Sequence, residues 1–454
     1  MQCANHLLAS LITAAALLAR TSFAAGTYTQ VDYPASALPG ELQIPVTYTL
    51  WIPDHVTTLR ALIVHQHGAG ILASQQGSTA AYDLHWQALA AKHDCALLGP
   101  SYHVPNNATD ASPGGSELWF DPRRGSEKTF LHALTDLAEK SYHPELTTIP
   151  WALWGHSGGG IWSNVMAALH PDRIVALFLR SGTAGMFADH PEFPPPPLPD
   201  TLFTIPMIAN FGLQEKGKAP YAGSIDTFTT YRAHHTPIAL APDPRTGHWC
   251  GDSRYLAIPF FDACLTMRLP DPGSADQTLK PVDSSHAWLA EPLSNVAVPA
   301  ADFKGDRAKA VWLPNAAVAK AWMDYVHYGM VEDLTPPPAP TNVQVHSTDA
   351  GNDITWNADV DFESGIAGFI IVRDGKALAR LPQNPPTKVF GRPLFQGISH
   401  GDTPDSLNTP MRYLDTTAKP TEKHIYTLIT LNGMNTPSDP SAPYIDHTVA
   451  PMDR

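Results

Sequence analysis

Ser157 stands in Gly155-His156-Ser157-Gly158-Gly159, between an apolar run at 149–154 and a stretch of helical pattern. A serine hydroxyl is a weak nucleophile. It needs a base to take its proton and a carboxylate to orient that base. A strand, a sharp turn and a helix, with small residues flanking the serine, would expose its oxygen at the sheet end and aim the positive helix end at it. Gly155 and Gly159 are those small residues. Downstream, Glu215 follows the strand-like run 205–212, and His248 follows the run 237–243. The order serine, acid, histidine is one that elbows of this kind use. Asp243 lies closer in sequence to His248 and is a rival for the acid.

A tetrahedral oxyanion needs two backbone donors. Gly158 supplies one amide directly after the serine, and His67-Gly68-Ala69-Gly70 supplies a loop for the other, from Gly68 or Ala69. His65 and His67 also have a spacing that can bind zinc, but no companion carboxylate-histidine motif follows. The flanking glycines favour the oxyanion loop, so neither metal nor organic cofactor is expected. His156 is too close to Ser157 to serve as its base and is expected to pack or hydrogen-bond within the turn. The stretch 114–125 offers Trp119 and Phe120 for stacking on a ring, and Arg123 or Arg124 for a carboxylate. Ordinary loop packing is the competing expectation there. Trp249 adjoins His248 and would line the same pocket.

The elements that must hold these residues are readable as alternating patterns. Strands are expected at 46–53, 61–68, 95–102, 149–157, 174–182, 205–212 and 237–243. Helices are expected at 81–93, 127–140, 159–170, 253–269 and 316–329. This alternation predicts an α/β fold with a mostly parallel sheet and flanking helices. A proline-rich insertion at 189–200 suits a pocket rim. After the linker at 335–341 the pattern changes to short strands, with Asp374-Gly375 as a hairpin signal, and predicts a C-terminal β-sandwich over 342–449. Trp356 and Tyr426 suit the core positions of a fibronectin type III domain, which this region resembles.

Residues 27–269 resemble the α/β-hydrolase superfamily, especially exported bacterial esterases of the feruloyl esterase and polyhydroxyalkanoate depolymerase type. The pieces that carry the resemblance are His67-Gly68-Ala69-Gly70, the Ser157 pentapeptide, Gly212-Leu213-Gln214-Glu215 and Gly247-His248-Trp249. The resemblance implies Ser157 as nucleophile, His248 as base, Glu215 as acid and an ester substrate, polymeric or plant-derived. A serine peptidase on the same fold, or a binding module with a degenerate site, are the other classes this pattern admits.

Residues 1–25 read as a secretory leader: an apolar run at 7–19, then Ser22-Phe23-Ala24 as a cleavage site. An N-terminal anchor is the alternative, but the run is short for a span. The catalytic region would then occupy 26–334, in a secreted or periplasmic protein with no membrane contact after leader removal. A net charge of −14 argues against nucleic acid as a partner. Of the four cysteines, Cys3 leaves with the leader, and Cys250 with Cys264 is the favoured pair, because Cys95 opens a buried strand. Asn107-Ala108-Thr109 is a glycosylation triplet of a kind that occurs often by chance.

Overall fold

The computed structural model describes residues 25–70, 77–104, 118–187, 195–274, 277–384, 391–392, 394–405, 410–419 and 422–445. The leader pattern, the triplet at 107, residues 114–117 and the proline-rich stretch through 194 lie outside the described residues.

Eight strands form one sheet: β1 (Gly26–Tyr33), β2 (Val46–Pro53), β3 (Ala61–Gln66), β4 (Cys95–Tyr102), β5 (Trp151–His156), β6 (Ile174–Arg180), β7 (Met207–Gly212) and β8 (Ile238–Asp243). Their order is β1-β2-β4-β3-β5-β6-β7-β8. β2 runs antiparallel to both β1 and β4, and every other pairing is parallel. β3 to β8 are buried at every residue, as expected of parallel strands covered on both faces. Against the sheet pack α1 (Leu84–Lys92), α2 (Ser126–Ser141), α3 (Gly158–Leu169), α4 (Ala219–Ala233) and α5 (Arg254–Arg268). This is the mostly parallel α/β sheet with flanking helices that the sequence predicts.

The side chain of Asp83 starts α1 by accepting hydrogen bonds from the amides of His85 and Trp86. β8 is the sheet edge, and α6 (Ala316–Tyr328) covers it. Trp322 of α6 donates its indole N–H to the Leu240 carbonyl at 2.8 Å, so that an edge-strand carbonyl is paired rather than left open. Between α5 and α6 lies a small antiparallel sheet of β9 (Trp288–Ala290), β10 (Ala297–Pro299) and β11 (Val311–Leu313).

The C-terminal strands form two further antiparallel sheets. One joins β12 (Thr341–Thr348), β13 (Gly351–Asn357) and β16 (Arg412–Asp415). The other joins β15 (Lys376–Leu381), β14 (Ile366–Arg373), β17 (Ile425–Asn432) and β18 (Tyr444–Ile445). They share a core in which Trp356 and Phe369 meet edge to face at 5.1 Å, with Tyr426 and Leu428 fully buried. This is a β-sandwich. Asp374 and Gly375 turn the β14–β15 hairpin with φ of 50° and 76°, the two positive values that a type I′ turn needs.

The expected pairing of Cys250 with Cys264 is not made. Cys95, Cys250 and Cys264 are all free and buried. Cys264 lies deep in α5 while Cys250 precedes it. Ten helical residues separate Cys264 from the start of α5, a rise of about 15 Å, whereas a disulfide joins Cα atoms no more than ~7 Å apart. Among the described residues no helix is long and apolar enough to cross a membrane.

Candidate active site

β5 ends at His156, and α3 begins at Gly158. Ser157 joins them with φ 54° and ψ −120°, a conformation that ordinarily costs a non-glycine residue about 1–3 kcal/mol. The turn is possible only because its neighbours lack side chains. A Cβ on Gly155 would stand 2.2 Å from the Gly159 carbonyl oxygen, and one on Gly159 would stand 2.2 Å from the Gln66 carbonyl oxygen. The start of α3 is thus pressed against β5 and β3 beneath the serine. The Ser157 amide donates to the Arg180 carbonyl at 2.7 Å, which ties the turn to the end of β6.

Three residues from separate strand ends meet here. Ser157 Oγ lies 2.8 Å from His248 Nε2, and His248 Nδ1 lies 2.6 Å from Glu215 Oε1. Because Nδ1 donates to the carboxylate, Nε2 is left to accept the serine proton. Glu215 sits just past β7 and is 1% exposed. Its second oxygen accepts from Ser181 Oγ at 2.6 Å and from the Gly212 amide at 3.3 Å. Burial pushes the Glu215 pKa up, but the hydrogen bonds from His248 and Ser181 outweigh it and hold the pKa below the ordinary value. The group is therefore an anion beside the imidazole.

Asp243 is turned elsewhere. Its carboxylate accepts from the Arg245 amide at 2.8 Å and from Tyr325 of α6 at 3.0 Å. It is buried at the sheet edge and makes no bond to His248.

The Gly158 amide opens α3, where a first-turn N–H has no intrahelical acceptor. A Cβ on Gly158 would lie 3.0 Å from the Ala69 nitrogen and 3.3 Å from Phe120 Cβ. Gly68 is equally close, with its Cβ position 3.2 Å from Ser157 Cβ. The loop after β3 and the start of α3 therefore face one another beside the serine, with Phe120 against them. Phe120 also packs on Ile161, Val165 and Ala184.

Two of the residues expected to contact substrate have partners within the fold. Trp119 is 2% exposed and stacks on Tyr102 at 4.1 Å, so its ring belongs to the core. Arg123 spends its guanidinium on Asp121, with Nε to Oδ1 at 2.8 Å and Nη2 to Oδ2 at 2.9 Å, because Asp121 caps that turn and lies within reach. Trp249 is half-buried. It lines a cavity of about 210 Å³ with Arg245, Thr246, Asp252 and Gly391.

His65 and His67 are used within the fold. His65 stacks on Trp154 and bonds Asp402, while His67 lies between the carbonyls of Gly68 and Pro100. Burial lowers the His67 pKa to about 4. No metal-binding cluster occurs among the described residues. His156 donates Nε2–H to the His248 carbonyl at 2.6 Å, the packing and bonding role expected of it.

Sequence reasoning missed two residues that support Glu215 and His248. Ser181 follows β6 with φ 49°, which turns its hydroxyl onto Glu215. Arg180, fully buried, donates to Thr246 Oγ1 at 2.8 Å, to the Gly247 carbonyl at 3.0 Å and to the Trp249 carbonyl. It thereby grips the backbone on both sides of His248. Polar residues ending a buried strand are the one signal that marked them. A separate cavity of about 820 Å³, lined by Phe203, His234, Pro237, Arg268 and Trp312, lies by the opposite strand ends and has no part in this cluster.

No protein-family model matches the chain, and no curated protein matches it in sequence. Solved structures do. The LpqC poly(3-hydroxybutyrate) depolymerase from Bordetella parapertussis is 18% identical, over 54% of this chain and 92% of that one, with a TM-score of 0.38. A ferulic acid esterase is 14% identical, over 53% and 98%, with a TM-score of 0.36. An S-formylglutathione hydrolase from Agrobacterium tumefaciens is 13% identical, over 54% and 94%, with a TM-score of 0.36. These are likenesses of fold over about half of the chain. What the site can do is read from its own atoms.

Proposed function

We propose that this chain is an exported serine ester hydrolase that works through an acyl-enzyme, with Ser157 as nucleophile, His248 as general base and Glu215 as the orienting acid. The observation that carries the reading is the continuous relay of hydrogen bonds from Ser157 through His248 to Glu215, at 2.8 and 2.6 Å. Each group comes from a different strand end, and the serine is held in a strained turn at a helix start. Such strain persists only where the surroundings over-determine it.

His248 takes the Ser157 proton as Oγ attacks the ester carbonyl. The carbonyl oxygen becomes an anion held by the amides of Gly158 and of the 68–69 loop. As the intermediate collapses, His248 gives its proton to the departing alcohol. Water then enters, His248 takes a proton from it, and the resulting hydroxide attacks the acyl group. The ester carbonyl carbon returns to a free acid and Ser157 recovers its proton. Glu215 stays ionised throughout and stabilises the imidazolium that forms twice. No metal or organic cofactor enters these steps.

The leader-like residues 1–25 support export, and an exported ester hydrolase meets esters outside the cell. We assign it a carbohydrate-linked or other plant-derived or polymeric ester, with the sandwich, read as fibronectin type III-like, appended to a catalytic region spanning 26–334. The test is a panel of acetyl, feruloyl and glucuronoyl esters and a polyester, alongside a peptide amide. Ester turnover that disappears in Ser157→Ala is expected. Amide cleavage without ester cleavage contradicts the assignment.

A further inference from the structure

The segment 394–405, which lies between β15 and β16 of the sandwich, runs across the strand ends that carry Ser157 and His248. It is fastened there by buried charge. Arg254 of α5, fully buried, donates Nη2 to Asp83 at 2.7 Å and Nε to Asp402 at 2.8 Å. Asp402 also meets His65 Nε2 and Trp86 Nε1, each at 3.4 Å. Removing one member of such a network leaves an uncompensated buried charge, so the attachment is not optional for the fold. Gln396 adds two bonds to the start of α1, accepting from the Leu84 amide and donating to the Tyr82 carbonyl.

This attachment fixes His400. Its carbonyl accepts from the Cys250 amide at 3.4 Å, two residues beyond His248. Its ring centroid lies 5.1 Å from that of His156 and 6.2 Å from that of His248, and the residue is half-buried. A Cβ on Gly401 would stand 3.5 Å from His67 Cβ, beside the loop after β3. The His156 ring lies 5.1 Å from those of both His400 and His248. Its Nε2 is committed as a donor to the His248 carbonyl, while its buried Nδ1 has no hydrogen-bond partner. Burial and the neighbouring His248 and Arg180 lower the His400 pKa, so its ring is neutral and can both donate and accept.

We propose that segment 394–405 forms one wall of the substrate site and that His400 hydrogen-bonds a hydroxyl-bearing alcohol portion of the ester. The inference rests on the reading of the site as an ester hydrolase. In that reaction the leaving oxygen must lie against His248 Nε2, because His248 returns the proton to it. The amides of Gly158 and Ala69, with Phe120 against them, occupy the oxyanion side. His400 packs beside the ring of His248, the group that returns the proton to the leaving oxygen, and on this proposal it faces the alcohol. A neutral imidazole recognises hydroxyl groups and gains nothing from a bare alkyl chain.

The test uses the full chain and two acetate esters, one of a sugar and one of ethanol, with Ser157 phosphonylation by a small fluorophosphonate as a control that reads the activated serine without the alcohol. His400→Phe keeps the ring and removes the hydrogen bond. We expect it to lower kcat/KM for the sugar acetate about tenfold, mainly through KM, the effect of one lost hydrogen bond. Ethyl acetate hydrolysis and the phosphonylation rate should stay within about twofold, as expected of a residue that acts only on the alcohol. His400→Gln, which keeps a donor and an acceptor, should recover most of the loss. Equal losses on both esters, or no loss on either, overturn the inference while leaving the hydrolase reading intact. A wild-type Ser157 that the reagent does not modify overturns the hydrolase reading and this inference with it.

Discussion

Ser181 donates a 2.6 Å hydrogen bond to Glu215 Oε2, the oxygen that His248 does not use. Glu215 is thereby held from two sides, and its orientation does not depend on His248 alone. Ser181→Ala removes a charge-assisted bond worth about 1.5–3 kcal/mol. Only part of that reaches the transition state, so kcat/KM should fall about tenfold while Ser157 remains reactive. Steady-state kinetics on any ester substrate check this, and an unchanged kcat/KM would show that Glu215 needs no such support.

The two candidate acids separate cleanly by substitution. Glu215→Gln keeps the shape but deprives the imidazolium of its counter-charge, and kcat should drop by a factor of about 10³–10⁴. Asp243→Asn should leave kcat nearly unchanged and instead weaken the Tyr325 contact that anchors α6. Loss of activity in the second variant alone would assign the acid to Asp243.

Acid should erase what Glu215 contributes to stability. Its folded pKa lies below the ordinary 4.5. A depressed carboxylate pKa stabilises the fold above the unfolded value, and that stabilisation is lost as pH falls through the folded one. Urea unfolding of wild type and Glu215→Gln should therefore differ most near neutral pH. The gap should narrow below about pH 4. A gap that widens on acidification contradicts the ionised state of this group.

Three thiols should be present and unreactive. Burial pushes the Cys95 thiol up to about 12 and raises those of Cys250 and Cys264 as well. A thiol reagent should find none of them in the native protein and all of them after denaturation without reductant. Recovery of a single thiol besides Cys3 would restore the Cys250–Cys264 bridge.

The runs at 46–53 and 95–102 could be read with their true ends, because a buried strand writes its burial as an unbroken apolar or β-branched stretch. β1 could not, since it is a half-exposed edge strand with one fully buried residue. α4 was equally silent: its buried face is Gly223, Ser224, Thr227, Phe228, Tyr231 and Arg232, which has no apolar period. The relay of Ser157, His248 and Glu215 was legible because each follows a readable strand. Asp243 stayed a rival to Glu215, because nearness in sequence says nothing of where a side chain turns, and Tyr325 arrives from 82 residues away. His400 and Asp402 were hidden for the same reason. Their partners lie in another part of the chain, and no local pattern marks them.

In the proposed reaction Ser157 is a nucleophile activated by His248. Peptide mass mapping after treatment with a fluorophosphonate tests it most directly. A single adduct on Ser157 is expected, absent in Ser157→Ala and formed far more slowly in His248→Ala. An unmodified Ser157, or an adduct that forms as fast without His248, would contradict it.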